Sequence, residues 1–211
     1  MSTATFRSIC GDKLCPMVLI VVLLARRWLP GLLLLLLLPG CSPVFNWRDV
    51  TVTDNLVALL PCKPDRATRT LEIPGIERIS ISMSGCAAGD ATFAIAQAEA
   101  GSAAQAAMWL GAWKSSTRAQ WPDAQLTEVV ATVNGADAAS GSRFTISRAA
   151  EGAARKASVQ FAGAEMLWFT RAVDATHVTI YQAMVLGKPS ADDAAATFFE
   201  GVRLSGRRSP A

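Results

Sequence analysis

Residues 91–122 read ATFAIAQAEAGSAAQAAMWLGAWKSSTRAQWP, and the period of the apolar residues changes inside that stretch. Thr92-Phe93-Ala94-Ile95-Ala96 has strand character. From Gly101 onward, Ala106, Leu110, Trp113, Thr117 and Trp121 recur every three or four residues. That spacing lines one face of a helix, and abundant alanine favours one. A helix of about 20 residues is expected, capped by Ser102 and stopped by Pro122. Trp109 lies beside the stripe, and the small residues Ala103, Ala107 and Gly111 let this helix approach a sheet closely.

Strand signals lie on both sides of the helix. Upstream, Val50 to Thr53, Leu56 to Leu60, Thr68 to Ile73 and Ile76 to Met83 have strand character, with Pro61 to Asp65, Pro74-Gly75 and Gly85 to Asp90 as turns. Downstream come Leu126 to Val133, Arg143 to Ser147, Ala157 to Phe161, Glu165 to Val173 and His177 to Leu186. Asn134-Gly135 is the strongest tight-hairpin signal in the chain, Glu151 to Arg155 reads as a polar turn, and Gly163 as a break. A last helix opens at Ser190-Ala191-Asp192-Asp193, with Ser190 as its cap, and carries Ala195, Phe198, Phe199 and Val202 on one face. Strands, long helix, strands, short helix is the order of an α+β protein. An antiparallel sheet with both helices packed on it is expected over residues 49–206, with 207–211 as a disordered tail.

The first 40 residues are of a different kind. The chain has 211 residues, 51% of them hydrophobic and 18% charged, with mean hydropathy +0.30. Much of that hydropathy comes from Val18 to Leu24 and from the seven leucines Leu32 to Leu38. Arg26 and Arg27 precede the 11 apolar residues Trp28 to Leu38, and Leu38-Pro39-Gly40-Cys41 closes the segment. The apolar stretch is too short to span about 30 Å of hydrocarbon and reads as an export signal. The alternative is an uncleaved anchor over Met17 to Leu38, in which Arg26 and Arg27 would each cost roughly 2.5–3.5 kcal/mol. A twin-arginine signal is matched poorly by Trp28-Leu29-Pro30. Met17 offers a second start 24 residues before Cys41, which would leave residues 1–16 untranslated.

Leu38, Gly40 and Cys41 resemble the lipobox of bacterial lipoproteins, with Pro39 as the departure from that pattern. The resemblance implies that the Cys41 thiol receives diacylglycerol, that cleavage falls before it, and that residues 41–48 form a lipid-anchored linker. Ser42 in place of an aspartate implies sorting to the outer membrane, with the inner membrane as the alternative. Trp47, six residues beyond Cys41, is placed to reach the membrane interface.

Cysteine arithmetic agrees. Of Cys10, Cys15, Cys41, Cys62 and Cys86, processing removes the first two and consumes the third. Cys62 and Cys86 are left to pair in an oxidising compartment. Residues 1–40 also carry the whole net charge of +3, as four basic residues and one acidic one. The remainder is neutral, which gives no electrostatic case for nucleic acid.

Leu56 to Pro64, the strand ending Ala91-Thr92-Phe93-Ala94-Ile95, the mid-chain helix and the terminal Phe198-Phe199-Glu200-Gly201-Val202-Arg203-Leu204 together resemble small exported domains of the PsbP-like fold and uncharacterised proteobacterial lipoproteins. The resemblance covers about residues 47–205. It implies an accessory or assembly role without catalysis, and no functional residue is carried over from it.

Little in the chain suggests chemistry. The single histidine, His177, lies three residues after Asp174, but no Gly-x-Ser-x-Gly elbow accompanies it. One histidine and two bridged cysteines make a poor metal set, no Gly-rich phosphate loop is present, and Asp192-Asp193 suits a helix start. No catalytic residue, metal or cofactor is expected. Two functions follow. The first is a membrane-anchored interaction or assembly module, its partner an envelope protein or lipid. The second is a carrier with an apolar groove for a lipid or peptide, formed around Trp109, Trp113 and Trp168. A signal-anchored single-pass inner-membrane protein is the remaining alternative.

Overall fold

The computed structural model describes residues 43–72, 76–138, 140–147, 161, 163–174 and 176–205. The signal segment, Cys41, the expected turn at Glu151 to Arg155, the strand expected from Ala157 and the tail 207–211 lie outside the described residues, Phe161 excepted.

Among the described residues, ten strands and two helices make an α+β protein with two antiparallel sheets. In chain order they are β1 (Arg48–Thr53), β2 (Leu56–Leu60), β3 (Asp65–Leu71), β4 (Ile79–Ala88), β5 (Ala91–Ala100), α1 (Ala103–Ala119), β6 (Gln125–Val130), β7 (Ser142–Ser147), β8 (Gly163–Ala172), β9 (Val178–Gly187), α2 (Ala194–Glu200) and β10 (Arg203–Leu204). The larger sheet has seven strands in the order β3-β4-β5-β9-β8-β7-β6, and the smaller has three in the order β1-β2-β10.

Alternation along the central strands builds a core on each face. On one face β5 presents Ala94, Ala96, Ala98 and Ala100, small residues over which the tryptophans of α1 pack. On the other it presents Phe93 and Ile95, which meet Leu56 and Leu60 of β2 and Phe198 and Phe199 of α2. The result is three layers: helix, seven-stranded sheet, and a back layer of the small sheet and α2.

Local chemistry sets the element ends. Ser102 caps α1 by accepting a hydrogen bond from the Gln105 N–H at 3.1 Å, and the helix stops at Ala119. Its buried face is Ala106, Trp109, Trp113 and Thr117, so Trp109 belongs to the stripe and Leu110 sits at its margin. Gly85 is not in a turn. It lies inside β4, where a Cβ would stand 2.6 Å from that of Ala94 and 2.7 Å from the Phe93 carbonyl oxygen, so its missing side chain lets β5 come close. The turn itself is Gly89-Asp90, between the paired Ala88 and Ala91. Both turn residues have positive φ, as a two-residue type I′ hairpin requires. Because β4 runs on to Ala88, β3 finds partners as early as Asp65, opposite Gly85, and begins before the expected Thr68.

Three further expectations are corrected. Asn134-Gly135 is not a tight hairpin: residues 131–141 join β6 to β7, because Asp137 ties the connection to β8. Its carboxylate accepts from the Ala172 N–H at 2.9 Å and the Thr170 hydroxyl at 3.0 Å. Gly163 does not break the chain but opens β8, opposite Ser147. Ser190 does not cap α2. Its N–H donates to the Gly89 carbonyl at 2.7 Å, and the helix starts after Asp193, whose side chain makes no cap bond.

Candidate functional site

The face of the large sheet that meets the back layer changes character along its length. In register, Phe93 lies opposite Val185 and Ile95 opposite Ala183, then Gln97 opposite Tyr181 and Glu99 opposite Thr179. The apolar end is covered by β2 and α2. At the polar end the β1–β2 turn, Thr53 to Asn55, is held by Ser205, whose N–H donates to the Asn55 carbonyl at 2.9 Å and whose hydroxyl donates to the Asp54 carbonyl at 3.1 Å.

A cleft of about 330 Å³ opens between this turn, Glu99 and the β8–β9 hairpin. Tyr181 and Thr179 line it and are 1% and 6% exposed, and the Tyr181 ring stacks on Phe169 at 5.0 Å. Among the described residues, neither hydroxyl has a protein hydrogen-bond partner. The remaining lining includes Asp54, Asn55, Asp174 and His177, with no lysine or arginine among the described residues. The side chains of Asp54 and Glu99 make no ion pair among the described residues.

Asp174 is fully engaged by its own turn. Its carboxylate accepts from the Thr176 N–H at 2.7 Å, the Thr176 hydroxyl at 2.8 Å and His177 Nδ1 at 2.9 Å. The backbone and hydroxyl bonds from Thr176, followed by His177, lower its pKa to about 2. The bond fixes Nδ1 as the protonated ring nitrogen and leaves Nε2 free. Thr176 Oγ1 lies 3.1 Å from the same Nδ1. A nucleophile activated by an Asp–His pair needs its hydroxyl on the opposite nitrogen, so these three side chains do not form a triad.

A second cleft, of about 320 Å³, adjoins β3, β4 and β5 and is rich in hydroxyls: Thr68, Ser82 and Ser84, with Arg66 and Gln97. Gln97 Oε1 is buried there without a hydrogen-bond partner. The Arg66 guanidinium donates to the Thr51 carbonyl at 2.7 Å. The two clefts approach each other along β5, where Gln97 and Glu99 are two residues apart on one face.

Of the residues singled out from sequence, Cys62 and Cys86 are joined in a disulfide, with Cα atoms 6.0 Å apart. Trp109, Trp113 and Trp168 are brought together in the layer between α1 and the sheet, at 7%, 6% and 0% exposure. Trp113 and Trp168 meet edge to face at 5.0 Å. The indole N–H groups of Trp109 and Trp168 are buried without partners. Trp47 packs against Phe93 and stacks on Phe45, within the back layer. Among the described residues, no three His, Cys, Asp or Glu side chains are grouped as a metal requires, and no helix is long and apolar enough to cross a membrane.

Sequence reasoning passed over Asp54, Glu99, Thr179 and Tyr181. One signal was available: Gln97 and Glu99 continue the apolar face begun by Phe93 and Ile95, which marks where cover by another layer must end. The chain matches no protein-family model, and no curated protein is similar to it.

Proposed function

We propose that the protein is a membrane-tethered, non-catalytic lipoprotein of a bacterial envelope, anchored through Cys41, facing the periplasm and sorted to the outer membrane, where it serves as an interaction or assembly module. The observation that carries this reading is the Cys62–Cys86 disulfide. Disulfides persist in oxidising compartments, and the export signal supplies a route to one. The bond links the end of β2 to β4 and so staples the back layer to the main sheet. Phe45 already packs on Phe93. A lipid at Cys41, four residues earlier, would hold the body within about 14 Å of the acyl chain. The layered α+β body favours the likeness to PsbP-like exported domains on layout. The Asp174–Thr176–His177 geometry favours a role without nucleophilic catalysis.

The test is expression of the full chain and of Cys41→Ala in a Gram-negative host fed labelled palmitate, followed by intact mass. The wild type is expected to begin at Cys41, carry label and weigh two hydrogens less than its dithiol form. A product that keeps residues 17–40 and takes up no label would overturn the lipoprotein reading in favour of a signal-anchored inner-membrane protein.

A further inference from the structure

We propose that the cleft beneath the β1–β2 turn binds an organic cation, an ammonium or guanidinium group, with Glu99 and Asp54 as counter-charges and the Tyr181 and Thr179 hydroxyls as acceptors. The inference concerns the folded body alone and needs neither the lipid nor the membrane.

Four observations converge on it. First, Tyr181 is 1% exposed and Thr179 6%, both line the cleft, and neither hydroxyl has a protein partner among the described residues. Neither hydroxyl oxygen is among the enclosed polar atoms that lack a partner, so each opens from a buried side chain onto the cleft, where a group in the cleft can bond it. Second, among the described residues the lining contains three carboxylates, Asp54, Glu99 and Asp174, and no lysine or arginine. Asp174 is spent on Thr176 and His177 and stays charged because those bonds hold its pKa low. Asp54 and Glu99 have no such partners among the described residues, and they flank the cleft from two elements, the β1–β2 turn and β5. Third, Glu99 and Thr179 are directly opposed across β5 and β9. Directly opposed antiparallel residues place their Cβ atoms about 4.5–5.5 Å apart, so one donor-rich head group can reach both. Fourth, the volume of about 330 Å³ suits a small head group. An anion would meet three negative charges, and a purely apolar ligand would leave the hydroxyls unbonded.

The cation can be a free amine or a basic side chain of a partner polypeptide, and the experiment separates them. The chain contains one histidine and one tyrosine, and both line the cleft. With histidine and tyrosine labelled with ¹³C, the full chain in detergent micelles gives a single histidine and a single tyrosine ring system as reporters. The probes are 1,4-diaminobutane, the capped peptides acetyl-Gly-Lys-Gly-amide and acetyl-Gly-Arg-Gly-amide, their norleucine counterpart, and N-acetylglucosamine. A saturating shift of both reporters by a cationic probe, weakened at least tenfold in Glu99→Gln and by added salt, is the expected result. Binding of the diamine alone identifies a free amine; binding of the capped peptides identifies a partner's side chain. Tyr181→Phe, read through His177, should keep the ring stack and lose affinity. No shift by any cationic probe up to about 10 mM, an equal shift by norleucine peptide or sugar, or undiminished binding in a folded Glu99→Gln would each overturn the proposal.

Discussion

Replacing both Cys62 and Cys86 by alanine tests how the back layer is held. The bond closes a loop with a sequence separation of 24 that contains all of β3 and the connection into β4. For a closed loop of about 25 residues, the chain-entropy relation gives a loss of about 12 cal/mol/K in the denatured ensemble, or about 3.5 kcal/mol at 25 °C. In a body of this size each kcal/mol moves the midpoint by about 2–4 °C, so the double variant should melt about 7–14 °C below wild type. The contacts that remain, β3 on β4 over Asp65 to Leu71 and β2 under Phe93 and Phe198, survive the change, so the fold should persist. The assay is thermal unfolding followed by circular dichroism, with and without dithiothreitol. Reductant should lower wild type to the variant's midpoint and leave the variant unmoved. Midpoints within about 3 °C of each other, with wild type indifferent to reductant, would refute the argument that this bond constrains the unfolded chain.

Three further outcomes follow from single side chains. Ser102→Ala removes the cap of α1 and should cost about 1 kcal/mol in chemical denaturation, while Ser190→Ala, which caps nothing, should leave α2 intact. Trp168→Ala empties the fully buried ring site beside Trp113 and should cost about 3–5 kcal/mol. Trp168→Phe should cost far less, because it also deletes an indole N–H that has no partner. Asp174 has a folded-state pKa near 2 against an ordinary value of 3.8, so the unfolded chain binds more protons between those limits. Its contribution is therefore complete above about pH 4 and lost as the pH falls towards 2. The stability gap between wild type and Asp174→Asn should close over that interval.

The fold was legible where one periodicity ruled. Ala106, Trp113 and Thr117 show the helical spacing and are buried in α1, and Ile79 and Ile81 alternate with serines and face α1. Errors arose where a local signal met a tertiary tie. Asn134-Gly135 has the composition of a tight turn, yet Asp137 holds the segment on β8, its carboxylate accepting from the Ala172 N–H and the Thr170 hydroxyl and its own N–H donating to the Thr170 carbonyl. Gly85 looked like punctuation because glycine usually is. Its reason for being there, the closeness of Ala94, exists only once β5 is paired.

The cleft was less legible still, and for a definite reason. Alternation assigns a residue to a face but says nothing of which strand lies beside it. Glu99 and His177 are 78 positions apart in sequence, and Asp54 lies 45 before Glu99. They share a cleft because β5 pairs with β9, not with the strand that follows it, and because Ser205, at the far end of the chain, holds the β1–β2 turn over the junction. Register then decides chemistry. Slipping β9 by one residue would turn Tyr181 and Thr179 onto the α1 face and bring Ile180 and Gln182 to the cleft. The residues of the site are thus held in place by the apolar half of the same strands. Phe93 opposite Val185 and Ile95 opposite Ala183, locked under Leu56 and Phe198, hold the register that sets Glu99 beside Thr179. A substitution in that apolar half should therefore disturb cation binding without touching the cleft.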